Sequence, residues 1–202
     1  MIHTAKFYSV LSVEDIQNLE KKFNEEVTLL DTILNNFCDG ISVTFIYNKF
    51  QKCYFTFIFV DFVKLLRRAN IVDEDYEIVE TKLNEFIRTV FDKELELTLV
   101  RVDYRYDVKL KKEDRLELIK ILRKTHEKFR FMKKYDTYDT SIYFNSGSVQ
   151  TIIYDKEEQK KKSFEAIEEY EKDILRFEVR LQNGHINYMK HKYNLFLISF
   201  VY

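Results

Sequence analysis

The chain has 202 residues, with 33 basic and 34 acidic side chains and a formal net charge of -1. A balance so close to neutral excludes nucleic-acid binding by overall charge, so any phosphate contact must come from a local arrangement of Lys and Arg. Cys38 and Cys53 are the only cysteines and form no CxxC pair, which excludes the usual zinc sites; the longest apolar runs, Phe55–Phe62 and Leu195–Tyr202, are too short to span a bilayer.

The first residues lack the charged start and apolar run of a signal peptide, and no membrane partner is expected. The expected setting is cytoplasmic, with reduced thiols. Hydrophobic residues make up 46% of the chain, enough for a sizeable core. There is no Pro, no low-complexity linker and no internal repeat, so residues 1–202 are expected to form a single domain.

Ile2 to Val10 reads as a strand, and Ser12 is placed to cap a helix with Ile16, Leu19 and Phe23 on one face. Val27 to Cys38 either extends that helix or forms a second one, and Asp39-Gly40 breaks the chain. Ile41 to Tyr47 and Cys53 to Val60 read as a hairpin rich in β-branched and aromatic residues. Asp61 is expected to cap a short helix through Leu66, and Asp73 a longer one carrying Tyr76, Val79, Leu83, Phe86, Ile87 and Val90 at helical spacing.

Leu95 to Val108 contains a strand, followed by a helix from about Lys112 to Met132 that buries Leu118, Ile119, Leu122 and Phe129. Ser141 to Asn145 and Gln150 to Lys156 read as a second hairpin around residues 146–148. A polar helix from about Glu157 to Lys172, a strand around Leu175 to Arg180, and a last helix after Asn183-Gly184 complete the order. Hairpins mixed with longer crossovers predict an α+β fold with a mainly antiparallel central sheet and helices packed on one face. The polar strand faces would lie opposite the helices.

Two strands carry unusual faces. From Val100 to Asp107, Arg101, Asp103, Arg105 and Asp107 share one side, while Val102, Tyr104 and Tyr106 share the other. From Leu175 to Leu181, Arg176, Glu178 and Arg180 oppose Leu175, Phe177, Val179 and Leu181. Such rows can be solvated salt-bridge ladders of modest energy. They can equally form the floor of a site for a metal ion and a phosphate.

Asp103, Asp107 and Glu178 are candidate ligands, since carboxylate oxygens suit Mg²⁺ or Mn²⁺. Asp103 and Asp107 stand four residues apart on one strand, roughly 13 Å at about 3.3 Å per residue, too far to share one ion directly. Asp103 and Glu178 are compatible if their strands are adjacent. In a strand, Tyr154 and Lys156 would be neighbours on one face, and a cation beside a phenol favours the phenolate. A strand tyrosine is ordinarily a packing residue, and this chain has 14 tyrosines. His3, His126, His185 and His191 form no ligand pair, His126 reads as a core residue, and the Gly residues form no phosphate loop.

Three segments in order, Arg101-Val-Asp103, then Ser141 to Asn145 with Ile153-Tyr154-Asp-Lys156, then Leu175 to Arg180, resemble the gene II type replication-initiation proteins of filamentous phages. They are also similar to the related transesterase initiators of rolling-circle plasmids, to which the Asp103-to-Asp107 spacing is closer. The resemblance covers roughly Leu95 to Leu195, and the opening Met1 to Phe7 looks like a family start. The two-histidine strand motif of many DNA-nicking enzymes is absent.

The resemblance implies a metal-dependent nicking endonuclease that starts rolling-circle replication. Tyr154 would attack the origin strand with Lys156 beside it. Asp103 and Glu178 would hold Mg²⁺ or Mn²⁺, with Asp107 in the phosphate network or acting through water. Arg101, Arg105, Arg176 and Arg180 would face phosphate. Implied partners are single-stranded or locally melted origin DNA, with a host helicase and polymerase. The family usually continues beyond the Arg-Phe-Glu strand, so the chain is expected to lack a C-terminal lobe. The competing expectations are a non-enzymatic DNA-binding or assembly protein derived from an initiator, and a structural α+β protein whose charged faces are solvent ladders.

Overall fold

The computed structural model describes residues 1–68, 71–127, 140–145 and 147–193. The fold is α+β, with seven strands among the described residues in a mainly antiparallel arrangement and helices between them. The described residues divide into two compact units, one built from Ile2–Val102 and the residues from Ile186 to Tyr193, the other from Asp103–His185 with Met1.

The first unit begins with β1 (Ile2–Ser12), which runs into α1 (Val13–Phe23). Ser12 caps that helix in a full capping box with Asp15. Asn24 turns left-handed at φ 53°, so α2 (Val27–Phe37) is a separate helix, which resolves the ambiguity left by periodicity. Gly40 sits at φ 88° against the backbone of Leu65, where any Cβ would clash.

The hairpin β2 (Ile41–Asn48) and β3 (Cys53–Asp61) then pairs antiparallel with β1 in the order β2-β3-β1. Asp61 caps α3 (Phe62–Leu66) through the Lys64 amide. The expected cap of α4 (Asp75–Phe91) is corrected: Asp73 is not its cap residue. Glu74 occupies the cap position without a side-chain bond, and the buried Asp75 turns back to accept from the Val72 amide. Ala5, Phe7 and Leu11 of β1, Ile58 and Val60 of β3, and Leu19, Leu34, Leu83 and Ile87 of the helices form one core on one face of this sheet.

β4 (Thr98–Lys109) leaves the first unit after Val102 and enters the second. There follow α5, described over Lys112–Glu127, β5 (Ser141–Asn145), β6 (Val149–Asp155), α6 (Lys156–Lys162), β7 (Ile174–Gln182) and the start of α7 (Asn183–Tyr193). The expected continuation of α5 to Met132, with Phe129 and the side chain of His126, lies outside the described residues. Ile119 is fully buried against Ile142, Ile153 and Leu175, with Leu118, Leu122 and Phe177 packed around them.

Two boundaries differ from expectation. Lys156 does not extend the strand; it is the first residue of α6, because Asp155 caps that helix by accepting from the Glu158 amide. The expected helix from Glu157 to Lys172 ends at Lys162, where Phe164 turns left-handed at φ 55°, and only a short 3-10 turn at Glu169–Glu171 follows.

Candidate functional site

Strand register builds the site. β6 and β7 pair antiparallel with Tyr154 opposite Arg176, Ile152 opposite Glu178 and Gln150 opposite Arg180. Directly opposed residues share a face, so Tyr154, Arg176, Glu178 and Arg180 lie on one side. The alternate residues Leu175, Phe177 and Ile153 lie on the other and are sealed by α5. The hydrophobic half of each strand thus offsets the burial of the charged half.

β4 adjoins β7 in the order β4-β7-β6-β5. Arg176 clamps Asp107 through two bonds, Nε to Oδ1 at 2.8 Å and Nη2 to Oδ2 at 3.0 Å. Arg180 reaches Asp103, with Nε 3.8 Å from Oδ2. Position rises on one strand as it falls on the other, the mark of antiparallel neighbours. Arg105 also donates to Asp107, at 2.7 Å.

The Tyr154 hydroxyl donates to Glu178 Oε2 at 3.2 Å. The second oxygen, Oε1, accepts from Arg180 Nε at 2.6 Å. The guanidinium of Arg176 lies 5.9 Å from the centre of the Tyr154 ring. Asp103 is 2% exposed, Glu178 4%, Arg176 5% and Tyr154 8%, so this face is not a solvated ladder.

Burial at such a site opposes charge, and each group shows how far its neighbours compensate. Burial pushes the Tyr154 phenol up to about 12; Glu178 adds to that rise and Arg176 opposes it. Tyr154 is therefore a neutral hydrogen-bond donor near pH 7. Burial works against the Asp107 carboxylate too, but the hydrogen bonds and charges of Arg176 and Arg105 outweigh it and hold the group below the usual carboxylate range. Burial, with Arg176 nearby, lowers the Lys156 ammonium, and Glu171 opposes that shift.

The structure gathers Tyr154, Asp103, Arg105, Asp107, Arg176, Glu178 and Arg180 in the second unit. Arg101 belongs to the first unit, with its guanidinium 6.0 Å from the Phe59 ring centre. Lys156, buried at the start of α6, donates to Gln159 at 2.9 Å and lies 3.7 Å from Glu171. Its predicted place beside Tyr154 on a strand face is corrected, because the strand has already ended. Among the described residues no group of three or more His, Cys, Asp or Glu side chains converges as a metal cluster. Asp103 and Glu178 do share one cationic neighbour, Arg180.

Sequence reasoning missed the support beneath this face. Asp155, opposite Leu175 in register, points away from the Tyr154 side and meets Arg115 of α5. Arg115, 1% exposed, binds Asp155 at 2.7 Å, Asp173 at 2.9 Å, Glu157 at 2.5 Å and the Leu110 carbonyl at 2.6 Å. One legible signal existed: Asp155 followed three residues later by Glu158 is a helix-start pattern. It would have put Lys156 on a helix and exposed Asp155 as a cap.

The family model for the N-terminal part of the phage replication-associated gene II protein matches residues 67–198. The chain belongs to this family. The gene II type resemblance is thereby established, and the chain is a replication initiation protein. The match to the gene II family takes in β4 to β7, and so every residue of the charged face in the second unit; β1 to β3 lie outside it. No curated protein matches the chain. No described helix is long and apolar enough to cross a membrane.

Proposed function

We propose that the chain nicks one strand of origin DNA by transesterification, with Tyr154 as nucleophile, and so starts rolling-circle replication. The observation that carries this reading is the buried hydrogen bond from the Tyr154 hydroxyl to Glu178 Oε2 at 3.2 Å. A phenol raised to about 12 needs a base to become nucleophilic, and a carboxylate within hydrogen-bond reach is one.

In the reaction, the Tyr154 oxygen bonds to the scissile phosphorus and the bond from phosphorus to the 3′-oxygen breaks. The phenolic proton passes to Glu178, and the 3′-oxygen takes a proton from water. The products are a 5′-phosphotyrosine and a free 3′-hydroxyl, a primer for a polymerase. One phosphoester replaces another, so the strand can later be rejoined. Arg176, held in place by Asp107, and Arg105 offset the negative charge that grows on the phosphorane.

Two buried carboxylates that reach the same guanidinium, Asp103 and Glu178 through Oε1, fit a hard divalent cation, Mg²⁺ or Mn²⁺. Bound there, it would supply positive charge that polarises the phosphate. Glu178 Oε2 faces Tyr154 and Oε1 faces Arg180, so one carboxylate can take both roles through different oxygens. Lys156 contributes positive charge at the end of β6.

The second reading, a non-enzymatic origin-binding protein, draws support from one observation: Asp103, Asp107 and Glu178 all have an arginine within 4 Å. One experiment separates the two. The purified protein is mixed with single-stranded DNA of its replicon and Mg²⁺ or Mn²⁺, and a denaturant-resistant protein-DNA adduct is sought. An adduct lost with Tyr154→Phe and with a chelator is the expected result. No adduct on any strand, from folded protein, would leave the binding reading.

A further inference from the structure

The first unit presents a second sheet face that the core does not use. α1, α2 and α4 pack on the side of Phe7, Ile58 and Val43. On the opposite side, the register aligns Lys6 with Phe59, Tyr8 with Phe57 and Val10 with Phe55. Phe55, Phe57, Phe59 and Tyr8 are half-buried, and Val10 and Ile46 are each 51% exposed. Tyr8 lies 5.5 Å from Phe55 and 5.6 Å from Phe57, ring centre to ring centre.

Two cations sit on these rings. Lys6 Nζ is 4.3 Å from the centre of Phe57, and the Arg101 guanidinium is 6.0 Å from Phe59. Lys6 to Val10, Ser42 to Ile46 and Phe55 to Phe59 place no carboxylate on this side. Lys6 is the one charge these segments carry, and an aromatic face with a cation complements a polyanion with exposed π-faces, whereas protein interface cores are depleted of charge. Successive β3 rings stand about 6.6 Å apart, twice the strand rise of about 3.3 Å. That is wider than the roughly 3.4 Å step of a duplex, so the row suits an unstacked strand.

We infer that this face, built on Lys6, Tyr8, Phe55, Phe57 and Phe59, binds single-stranded DNA by stacking bases on the rings while Lys6 neutralises phosphate. The inference rests on membership of a replication family and not on the nicking reading. Its residues, apart from Arg101, lie outside the matched segment.

The test is equilibrium binding of fluorescein-labelled oligothymidylate with a chelator present, which keeps binding separate from any cleavage. The chain has no Trp, so Phe57→Trp introduces a single reporter whose quenching reads stacking directly. Phe57→Leu and Phe59→Leu should each weaken binding at least about 5-fold, the lower end for loss of one stacked base. Lys6→Gln should lower the salt slope by about 0.7. An abasic strand of the same length should bind more weakly than oligothymidylate. Unchanged affinity in folded Phe57→Leu and Phe59→Leu would overturn the proposal, as would equal binding of the abasic strand. Self-association through this face, with no oligothymidylate bound, would overturn it as well.

Discussion

Replacing Arg115 by Met removes the charge but keeps most of the side-chain length. Three carboxylates then lose their shared cation, but they do not lose equally. The Asp173 side chain is 54% exposed and Glu157 20%, so water can take over much of their solvation. The Asp155 side chain is 0% exposed and, among the described residues, retains only its cap bond to the Glu158 amide. The Leu110 carbonyl also loses its 2.6 Å donor. The cost is therefore set mainly by Asp155, about 3 kcal/mol, the lower end for breaking a buried ion pair. Urea unfolding followed by circular dichroism measures it. Adding Asp155→Asn should recover part of the loss, with a coupling of about 1–3 kcal/mol. A loss below about 1 kcal/mol in Arg115→Met, with no coupling to Asp155, would refute the reasoning that this ion cluster holds the β6 to α6 junction.

Asp107→Asn should cost about 3 kcal/mol in the same assay, because Arg176 stays buried with its main partner neutralised. The Asp107 carboxyl is held below its unfolded value, so its contribution is present above about pH 4 and is lost as pH falls further; the wild type should lose more stability across that acid range than Asp107→Asn. Tyr154 has the opposite sign: its folded pKa of about 12 exceeds the unfolded value near 10, so its contribution is intact below pH 10 and declines between pH 10 and 12. Tyr154→Phe should flatten that alkaline decline, and a phenol absorbance titration should lose a late-ionising tyrosine in the variant. Glu178→Gln should abolish adduct formation while leaving the Arg176 to Asp107 clamp in place, which a crystal structure of the variant can check.

Period-2 alternation alone assigned Asp103, Arg105 and Asp107 to one face of a strand and Arg176, Glu178 and Arg180 to one face of another, because successive strand side chains point to opposite sides. The same local rule made the capping of α1 by Ser12 and of α3 by Asp61 legible. Register was not legible. That Tyr154 meets Arg176 while its hydroxyl reaches Glu178, and that Arg176 takes Asp107 from 69 positions away, depends on which strands adjoin and by what offset. A shift of one residue would have sent the whole charged row to the α5 side. Lys156 was misplaced because a polar residue after a strand fits either state until the cap at Asp155 is seen. Arg115 left no local trace: its partners Asp155, Glu157 and Asp173 stand 40, 42 and 58 positions away, and on the helix itself it reads as one more solvated charge. The sequence by itself determined which side chains share a strand face, since that follows from backbone geometry residue by residue. Only the tertiary structure decided which of them meet and which are buried, since burial and pairing arise when distant segments exclude water from one another.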